Sequence, residues 1–372
     1  MKTRKTCYGC SACAYVCKHG AIVMKHDTDG FMYPSVDSKK CVSCGLCHKV
    51  CPSNDGCLPI KTYAGQIKAK DILLKCASGG AFTSIAEKFI TEGGCVYAAA
   101  DCMNEPPSFI AIDSIEDLYK VQGSKYFQVD LKETDYSNIY LLLKASKKIL
   151  FCGTPCQTAA VKNVFKRFSD NLYTIDLICG GTPSYKVVKQ YRDYKEKLFN
   201  SKLKEHCFRA KDKTNFHGYQ SRLIFEDGRV VKYLGMKDEY TRLFSCGIIL
   251  RKSCYNCEFS TDVRNSDVTI GDYWGITRNS KFYTEKGSGV SVLLCNTDKG
   301  VNMIESLNNL ELEVAEIEYI KKYQRPLRNK ANKRFERPLF MWLLNILPFV
   351  VAEKIVNYRY FIKKIIKLGK NG

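Results

Sequence analysis

Two runs of cysteine with the same spacing constrain this 372-residue chain more than any other feature of its sequence. Each run reads C-x2-C-x2-C-x3-C, and the runs consist of Cys7, Cys10, Cys13 and Cys17, and of Cys41, Cys44, Cys47 and Cys51. This spacing lets the backbone wrap around a cubic iron–sulfur cluster, whereas zinc sites usually take two separated pairs, often with histidine. The first sixty residues are therefore expected to bind two clusters.

The paired runs are typical of the bacterial two-cluster ferredoxin, in which the fourth cysteine of each run ligates the other cluster. One 4Fe–4S cluster is then expected on Cys7, Cys10, Cys13 and Cys51, and the other on Cys17, Cys41, Cys44 and Cys47. Gly9 and Gly45 would allow the backbone to approach the clusters closely. We predict a two-cluster ferredoxin domain over residues 1–60.

The positive charge is concentrated at one end of the chain. The formal net charge is +20, and residues 321–372 contribute fourteen Lys or Arg against two acidic residues, Glu336 and Glu353. This uneven distribution gives no general case for nucleic-acid binding. No apolar signal segment lies between Met1 and Cys7. The clustered cysteines are therefore expected to be metal ligands in the cytoplasm rather than disulfides.

From about residue 62, strands and helices alternate, which predicts a mixed α+β or α/β domain. Asp227-Gly228 marks the turn of a hairpin. The other predicted elements are a helix over 80–91, a strand over 95–100, a strand over 147–152, a helix over 154–168, a strand over 172–179, a helix after Pro183, and strands over 267–271 and 290–296.

Five short motifs occur in order across this region: Ser78-Gly79-Gly80-Ala81-Phe82-Thr83, Gly123-Ser124-Lys125-Tyr126, Gly153-Thr154-Pro155-Cys156-Gln157, Asp176-Leu177-Ile178-Cys179-Gly180-Gly181, and Cys254-Tyr255-Asn256-Cys257 with Asp267-Val268-Thr269-Ile270-Gly271-Asp272-Tyr273-Trp274-Gly275. Together they resemble the coenzyme F420 hydrogenase/dehydrogenase beta-subunit family over roughly residues 62–300. The resemblance implies FAD, a further 4Fe–4S cluster, and electron transfer between clusters and a two-electron carrier or substrate. It makes residues 62–318 an FAD- and 4Fe–4S-binding oxidoreductase domain.

The flavin contacts follow mainly from the resemblance. Ser78, Gly79 and Gly80 open a helix whose free N–H groups could receive a phosphate, although the same residues could simply cap the helix. No G-x-G-x-x-G fingerprint marks an ordinary dinucleotide site. Lys125 could pair with a pyrophosphate or be a solvated surface charge. The motif match adds Gly153 and Thr154, and no catalytic residue is assigned.

A third cluster is expected on Cys156, Cys179, Cys254 and Cys257, which the resemblance places at the motif positions of the family. Cys156 lies in the first turn of a predicted helix, where the helix dipole favours a thiolate. Cys152 is an alternative for one place, because C-x3-C with Cys156 is sterically feasible. The other cysteines are expected to be small core residues: Cys57, Cys76, Cys95, Cys102, Cys207, Cys246 and Cys295. His217 could be a proton donor near the flavin or an ordinary loop residue.

Residues 319–372 are predicted to form a basic, amphipathic helical tail. Residues 339–352 are almost wholly apolar, but they are too short to span a bilayer and are interrupted by Pro348. In residues 353–368, apolar and basic residues recur with helical spacing. This pattern favours a peripheral helix that lies on the anionic inner face of a membrane. The alternative is a helix pair that docks on the α/β domain with its lysines in water.

These features indicate an iron–sulfur, flavin-dependent oxidoreductase that passes electrons between ferredoxin-type clusters and FAD. A protein such as ferredoxin is expected as electron donor or acceptor. The reaction would reduce or oxidise a two-electron carrier or substrate, and the resemblance allows a sugar-linked precursor of glycan assembly. One alternative is a non-catalytic electron-relay subunit, and another is a scaffold in which only the ferredoxin module is active.

Overall fold

The computed structural model describes residues 2–103, 105–212, 219–285 and 289–368. Its strands are β1 (Ile22–His26), β2 (Met32–Val36), β3 (Lys61–Ile67), β4 (Cys95–Ala100), β5 (Ser108–Ile112), β6 (Ile149–Gly153), β7 (Leu172–Leu177), β8 (Leu203–Cys207), β9 (Gln220–Phe225), β10 (Val230–Leu234), β11 (Val268–Asp272), β12 (Ser291–Cys295) and β13 (Leu310–Val314). Its α-helices are α1 (Ala12–Tyr15), α2 (Leu46–Lys49), α3 (Lys70–Lys75), α4 (Ala81–Thr91), α5 (Glu133–Lys144), α6 (Pro155–Val164), α7 (Tyr185–Phe199), α8 (Glu239–Ser245), α9 (Asp298–Glu305), α10 (Ile317–Tyr323), α11 (Glu336–Leu343) and α12 (Phe349–Leu368).

The N-terminal module repeats one local structure twice. The short helix α1 lies between Cys10 and Cys17, and α2 lies between Cys44 and Cys51. The antiparallel pair β1–β2 lies between the two cysteine runs. Each cysteine run therefore ends in the same way, with a loop followed by one helical turn, as the constant spacing of the cysteines requires.

The larger region is built on an eight-stranded sheet with the order β13-β3-β12-β11-β7-β6-β4-β5. The four strands β4, β6, β7 and β11 are parallel neighbours, and the remaining strands add antiparallel edges. Strands β4 and β6 of this parallel group are buried on both faces, and they are runs of almost wholly apolar residues without alternation. The predicted mixed α/β class is confirmed.

Most of the expected elements form at or near the predicted positions. The predicted helix over 80–91 is α4, and the Asp227-Gly228 turn joins β9 and β10. The predicted strand over 172–179 ends earlier, at Leu177. The limits proposed for the three domains stay a prediction. Strand β3 begins at Lys61, between the proposed first and second domains, and α10 (Ile317–Tyr323) crosses the proposed limit between residues 318 and 319.

The ferredoxin-type module packs directly on the larger region. Tyr15 stacks on Tyr136 of α5 with 5.2 Å between the ring centroids, and the Tyr136 hydroxyl donates to the Cys10 carbonyl at 2.8 Å. At the other end of the chain, Phe349 of α12 packs edge-on against Tyr191 of α7. Within the described ranges, no helix combines the length and the apolar character needed to cross a membrane.

Candidate functional site

Four cysteines of the module, Cys7, Cys10, Cys13 and Cys51, line a cavity of about 30 Å³, and we call them the inner cysteine set. Cys47 lies at the same cavity. Burial raises the pKa of Cys10 to about 12, and the neighbouring thiols contribute to this rise. A desolvated thiol loses its proton readily only when a cation compensates the thiolate, so this arrangement fits a bound metal cluster.

The outer cysteine set consists of Cys17, Cys41, Cys44 and Cys47 and faces the surface of the module. Cys41 and Cys44 are exposed, and the other two are half-buried. Exposed lysines lie next to these cysteines in the chain: Lys18, Lys39, Lys40 and Lys49. The two sets of the module therefore differ in exposure: the inner set has one buried and three half-buried cysteines, and the outer set has two half-buried and two exposed cysteines.

Three loops bring together the third cysteine set, Cys156, Cys179, Cys254 and Cys257. Cys156 lies in the first turn of α6, Cys179 follows the end of β7, and Cys254 and Cys257 lie in and after a 3-10 turn. Burial raises the pKa of the Cys156 thiol, and the nearby Cys257 and Cys254 raise it further. Burial thus outweighs the helix dipole, and a metal cluster would be needed to hold this set as thiolates.

The alternative ligand, Cys152, lies apart from the third set. Its side chain lies on the wall of a large pocket, and its electrostatic neighbours are Lys125 and Asp176. Of the seven cysteines expected in the core, four are buried: Cys76, Cys95, Cys246 and Cys295. The expectation is wrong for Cys57 and Cys102, which are exposed. Cys57 lies in a loop where its thiol donates to the Asn296 carbonyl at 3.0 Å.

Arg264 connects the two loops that carry three of the third set. Its Nη2 donates to Asp176 Oδ1 and to the Leu177 carbonyl, both at 2.9 Å, and its Nη1 donates to the Phe259 carbonyl at 3.0 Å. The arginine and the aspartate are both buried. This ion pair holds the loop after Cys257 against the end of β7. Removing one partner would leave a buried charge uncompensated.

The inner and third sets are neighbours. Tyr8, next to Cys7, packs with Phe259, Ala159, Cys156 and Cys257. Among the described residues, no three His, Cys, Asp or Glu side chains converge as they would on a single metal ion. A 4Fe–4S cluster instead binds its thiolates at four different irons, so these sulfurs lie farther apart than the ligands of a single ion.

A pocket of about 570 Å³ lies at the carboxyl edge of the parallel strands, and we call it the cofactor pocket. This is where ligands bind in open α/β sheets, and the volume is within the usual range for a small-molecule site. Its wall includes all but one of the predicted flavin contacts: Ser78, Gly80, Lys125, Gly153 and Thr154. Cys179 also lines the pocket, so the pocket and the third set share a wall.

The remaining predicted contact, Gly79, is covered by the sheet. Its N–H donates to Ser291 Oγ at 2.9 Å, and a Cβ there would lie 2.2 Å from the Gly65 carbonyl oxygen. The Ser78 hydroxyl donates to the Val290 carbonyl at 2.9 Å, so it is already engaged. Helix α4 begins after Gly80 without a side-chain cap, and its first residues line the pocket. The open helix end, rather than Ser78, suits an anion.

Two lysines with little exposure lie near this site, Lys125 on the pocket wall and Lys211 beside Ser78, just before the helix. Lys125 Nζ donates to the carbonyls of Val121 and Gln122 at 2.8 Å, and burial lowers the pKa of Lys125 to about 8. Lys211 donates to the Ser78 carbonyl, and burial lowers its pKa to about 8 as well. Both ammonium groups would be stabilised by an anionic ligand.

Sequence reasoning missed Lys211 and Arg209. Arg209 lines the pocket, where it pairs with Asp272 at 2.7 Å and lies 5.3 Å from the Trp274 ring. Neither Lys211 nor Arg209 belongs to one of the five motifs. Their neighbours Asp272 and Trp274 do, in the motif over 267–275. His217, the suggested proton donor, lies outside the described residues.

Comparison with known proteins finds two family models that match this chain. Residues 146–319 match the model for the C-terminal part of the coenzyme F420 hydrogenase/dehydrogenase beta chain, and residues 6–54 match the 4Fe-4S dicluster domain. Among curated proteins, an F(420)H(2) dehydrogenase subunit of Methanosarcina mazei is 26% identical over 191 residues, which are 46% of this chain and 53% of that protein.

An uncharacterized protein of Methanocaldococcus jannaschii is 26% identical over 231 residues, 50% of this chain and 63% of that protein. The matches thus span between about half and three-fifths of the length of these relatives. A chain in a xenon-derivatised structure of the F420-reducing [NiFe] hydrogenase complex from Methanosarcina barkeri superposes with a TM-score of 0.48 at 18% identity. That superposition covers 73% of this chain and 88% of the other.

We predict that Cys156→Ser removes one cluster, because it deletes a ligand of the third set. Iron in the anaerobically purified protein should fall from about twelve to about eight atoms per chain. The matched control, Cys152→Ser, changes a cysteine four residues away and should leave the iron content unchanged. A loss of iron in the Cys152→Ser protein, with none in the Cys156→Ser protein, would overturn this assignment.

Proposed function

Because the chain belongs to the coenzyme F420 hydrogenase/dehydrogenase beta-subunit family and carries a 4Fe-4S dicluster domain, we propose that it is an iron–sulfur, flavin-dependent oxidoreductase. Its relation to redox subunits makes it an iron–sulfur redox protein, and the flavin and the substrate are the proposed part. One observation carries the proposal. Cys179 belongs to the third cysteine set and also lines the cofactor pocket, so the two sites adjoin.

Twelve cysteines are the proposed ligands of three clusters. When bound, 4Fe–4S clusters would supply one-electron chemistry and FAD would couple it to two-electron chemistry. Cys41 and Cys44 of the outer set are exposed, whereas Cys10 of the inner set is buried and Cys156 of the third set is half-buried. The protein thus excludes water from the inner sites while one site stays accessible.

The open N-terminus of α4 is the proposed diphosphate site of FAD. Gly80 leaves the first N–H groups of the helix without a side-chain partner, and Lys125 and Lys211 supply positive charge beside them. Gly153 and Thr154 line the same pocket and would contact the remainder of the flavin nucleotide. Gly79 would act indirectly, because its close contact with β12 fixes the turn.

We predict that FAD affinity falls as the pH rises through about 8. Lys125 and Lys211 carry their charge below their lowered pKa values of about 8 and lose it above them, which weakens their attraction for the diphosphate. Lys125→Met should weaken binding about tenfold, roughly 1.4 kcal/mol, and make it less dependent on pH. Quenching of flavin fluorescence on titration measures the affinity.

The control for this titration is Lys120→Met. Lys120 pairs with the exposed Asp117 and is not part of the pocket wall, so its replacement should leave both affinity and pH dependence unchanged. A protein that binds no FAD, or binds it equally on both sides of pH 8, would contradict the proposed diphosphate site.

The physiological reaction is proposed as reduction or oxidation of a two-electron carrier or substrate, with a sugar-linked glycan precursor as one candidate. Turnover of such a precursor by the purified, reduced protein would support that candidate, and its absence would remove it. The alternative is a non-catalytic relay subunit. One observation favours it: the M. mazei relative is a subunit of a dehydrogenase. Isolation in a tight complex, without any turnover by the chain alone, would favour the relay.

The exposed outer cysteine set is the proposed docking site of an acidic electron carrier such as a ferredoxin. Val42 and Leu46 are exposed beside Cys41 and Cys44, and the four lysines Lys18, Lys39, Lys40 and Lys49 surround them in sequence. In the part of the chain that the structure describes, none of these lysines has an acidic partner within 4 Å. An apolar centre with a basic rim is complementary to an acidic protein surface.

We predict that Lys39→Glu/Lys40→Glu slows reduction by an acidic ferredoxin about tenfold at low ionic strength. Added salt should shrink the difference, because it screens surface charge. Stopped-flow absorbance measures the rate. The control Lys144→Glu/Lys237→Glu has the same charge change at two other exposed positions and should react nearly as fast as the native protein. Equal slowing by both double variants would refute this docking site.

The C-terminal helix is the proposed contact with an anionic membrane surface. Helix α12 packs on the domain through Phe349, Ala352 and Val356, but it exposes a second apolar stripe at Val351, Ile355 and Tyr358. Trp342 and Ile346, just before the helix, are also exposed. The sequence that follows contains further isoleucines, Ile362 and Ile365, among basic residues. Docking on the domain therefore leaves an apolar face uncovered, and that face with its positive charge suits an anionic bilayer.

We predict that the protein sediments with vesicles that contain phosphatidylserine and not with phosphatidylcholine vesicles. Ile355→Ser/Tyr358→Ser should reduce this binding severalfold because it removes part of the apolar stripe. Val230→Ser/Leu234→Ser, which changes exposed apolar residues of β10, is the control and should bind like the native protein. Binding to neither vesicle, or equal loss in both variants, would exclude the membrane contact.

A further inference from the structure

Arg251 is one of the largest fully buried side chains of the protein, with 1% of its surface exposed. Its guanidinium donates three hydrogen bonds: from Nε to the Cys7 carbonyl at 2.8 Å, from Nη2 to the Met32 carbonyl at 2.6 Å, and from Nη1 to Gln128 Oε1 at 3.2 Å. It also lies 4.3 Å from the centroid of the Tyr33 ring. All of these partners are neutral.

This cation lacks a carboxylate partner among the described residues, where no acidic side chain forms an ion pair with Arg251. The contrast with other buried arginines is clear, since Arg264 pairs with Asp176, Arg192 with Asp101 and Arg337 with Asp29. A buried charge is costly unless it is paired, and carbonyl dipoles and the two aromatic rings of Tyr33 and Phe31 compensate it only in part.

The position of Arg251 points to what compensates it. The guanidinium lies on the loop between Cys7 and Cys10, where a Cβ at Gly9 would lie 2.7 Å from Nη2. Three residues after Arg251 comes Cys254, whose N–H donates to the Arg251 carbonyl at 3.0 Å. The guanidinium itself also interacts electrostatically with the Cys254 thiol, so the cation lies between the inner cysteine set and the third cysteine set. Clusters held by four thiolates are anionic, and they are often the largest local charges in a protein.

We propose that Arg251 is the shared counter-cation of the inner and third clusters and raises the reduction potential of both. The inference rests on the proposed function, because it requires clusters at both cysteine sets. Reduction adds a negative charge, and a buried cation beside the site stabilises that charge more than it would in water. The outer set lies at the solvent-exposed face of the module, so its cluster should respond least.

Redox titration of the anaerobically purified protein, followed by electron paramagnetic resonance, tests the proposal. In Arg251→Gln, two of the three cluster potentials should shift to more negative values while the third is unchanged. Arg251→Lys keeps the charge and should stay close to the native potentials. The matched control, Arg337→Gln with Asp29→Asn, removes a neutral ion pair from the junction of the module and the larger region and should shift none.

A second variant covers the case in which Arg251→Gln does not fold or load iron. Gln128→Glu leaves the arginine in place and adds a carboxylate at its Nη1 partner, so it should shift the same two potentials in the same negative direction. Unchanged potentials in a fully loaded variant would overturn the proposal, as would a shift of only one cluster or equal shifts in Arg251→Lys and Arg251→Gln. Iron content, measured on the same samples, separates this outcome from a failure of cluster binding itself.

Discussion

The segment from Arg251 to Arg264 is fixed near both ends by a buried guanidinium group, and the arrangement of the third cysteine set depends on where this segment lies. Arg251 binds the Cys7 and Met32 carbonyls of the N-terminal module, and Arg264 binds Asp176 and Leu177 at the end of β7. Cys254 and Cys257 lie between these two anchors. Two arginines thus align the module, the third cysteine set and the edge of the sheet, and they do so through hydrogen bonds that tolerate little displacement.

The sequence predicts those parts of this structure that are encoded locally. The regular spacing of the first eight cysteines, the Gly-rich start of α4 and the Asp227-Gly228 turn each act over a few residues, and each predicted its element. The sheet edges were not predictable in this way. β3 pairs with β12 and β13, more than 200 residues away in sequence, and no local pattern specifies that antiparallel pairing. The same limit applies to Lys211, which contacts the Ser78 carbonyl 133 positions away in sequence.

The structure was needed to distinguish Cys152 from Cys156 as a member of the third set. Cys152 and Cys156 are four residues apart, and the sequence alone allows either cysteine to belong to the third set. Since α6 begins at Pro155, Cys156 lies beside Cys254 and Cys257, whereas Cys152 ends on the pocket wall next to Lys125. Burial also lowers the pKa of two lysines to about 8, Lys125 on the wall of the cofactor pocket and Lys211 beside Ser78. Both kinds of site would gain stability from a charged ligand, an iron–sulfur cluster in one case and an anionic nucleotide in the other.

The proposed function requires one chain to hold three clusters and a flavin in adjoining sites. The most direct test is to measure iron, acid-labile sulfide and flavin per chain after anaerobic purification. We expect about twelve irons, a matching amount of sulfide and one FAD. About eight irons without flavin would contradict it, because only the N-terminal module would then carry cofactors.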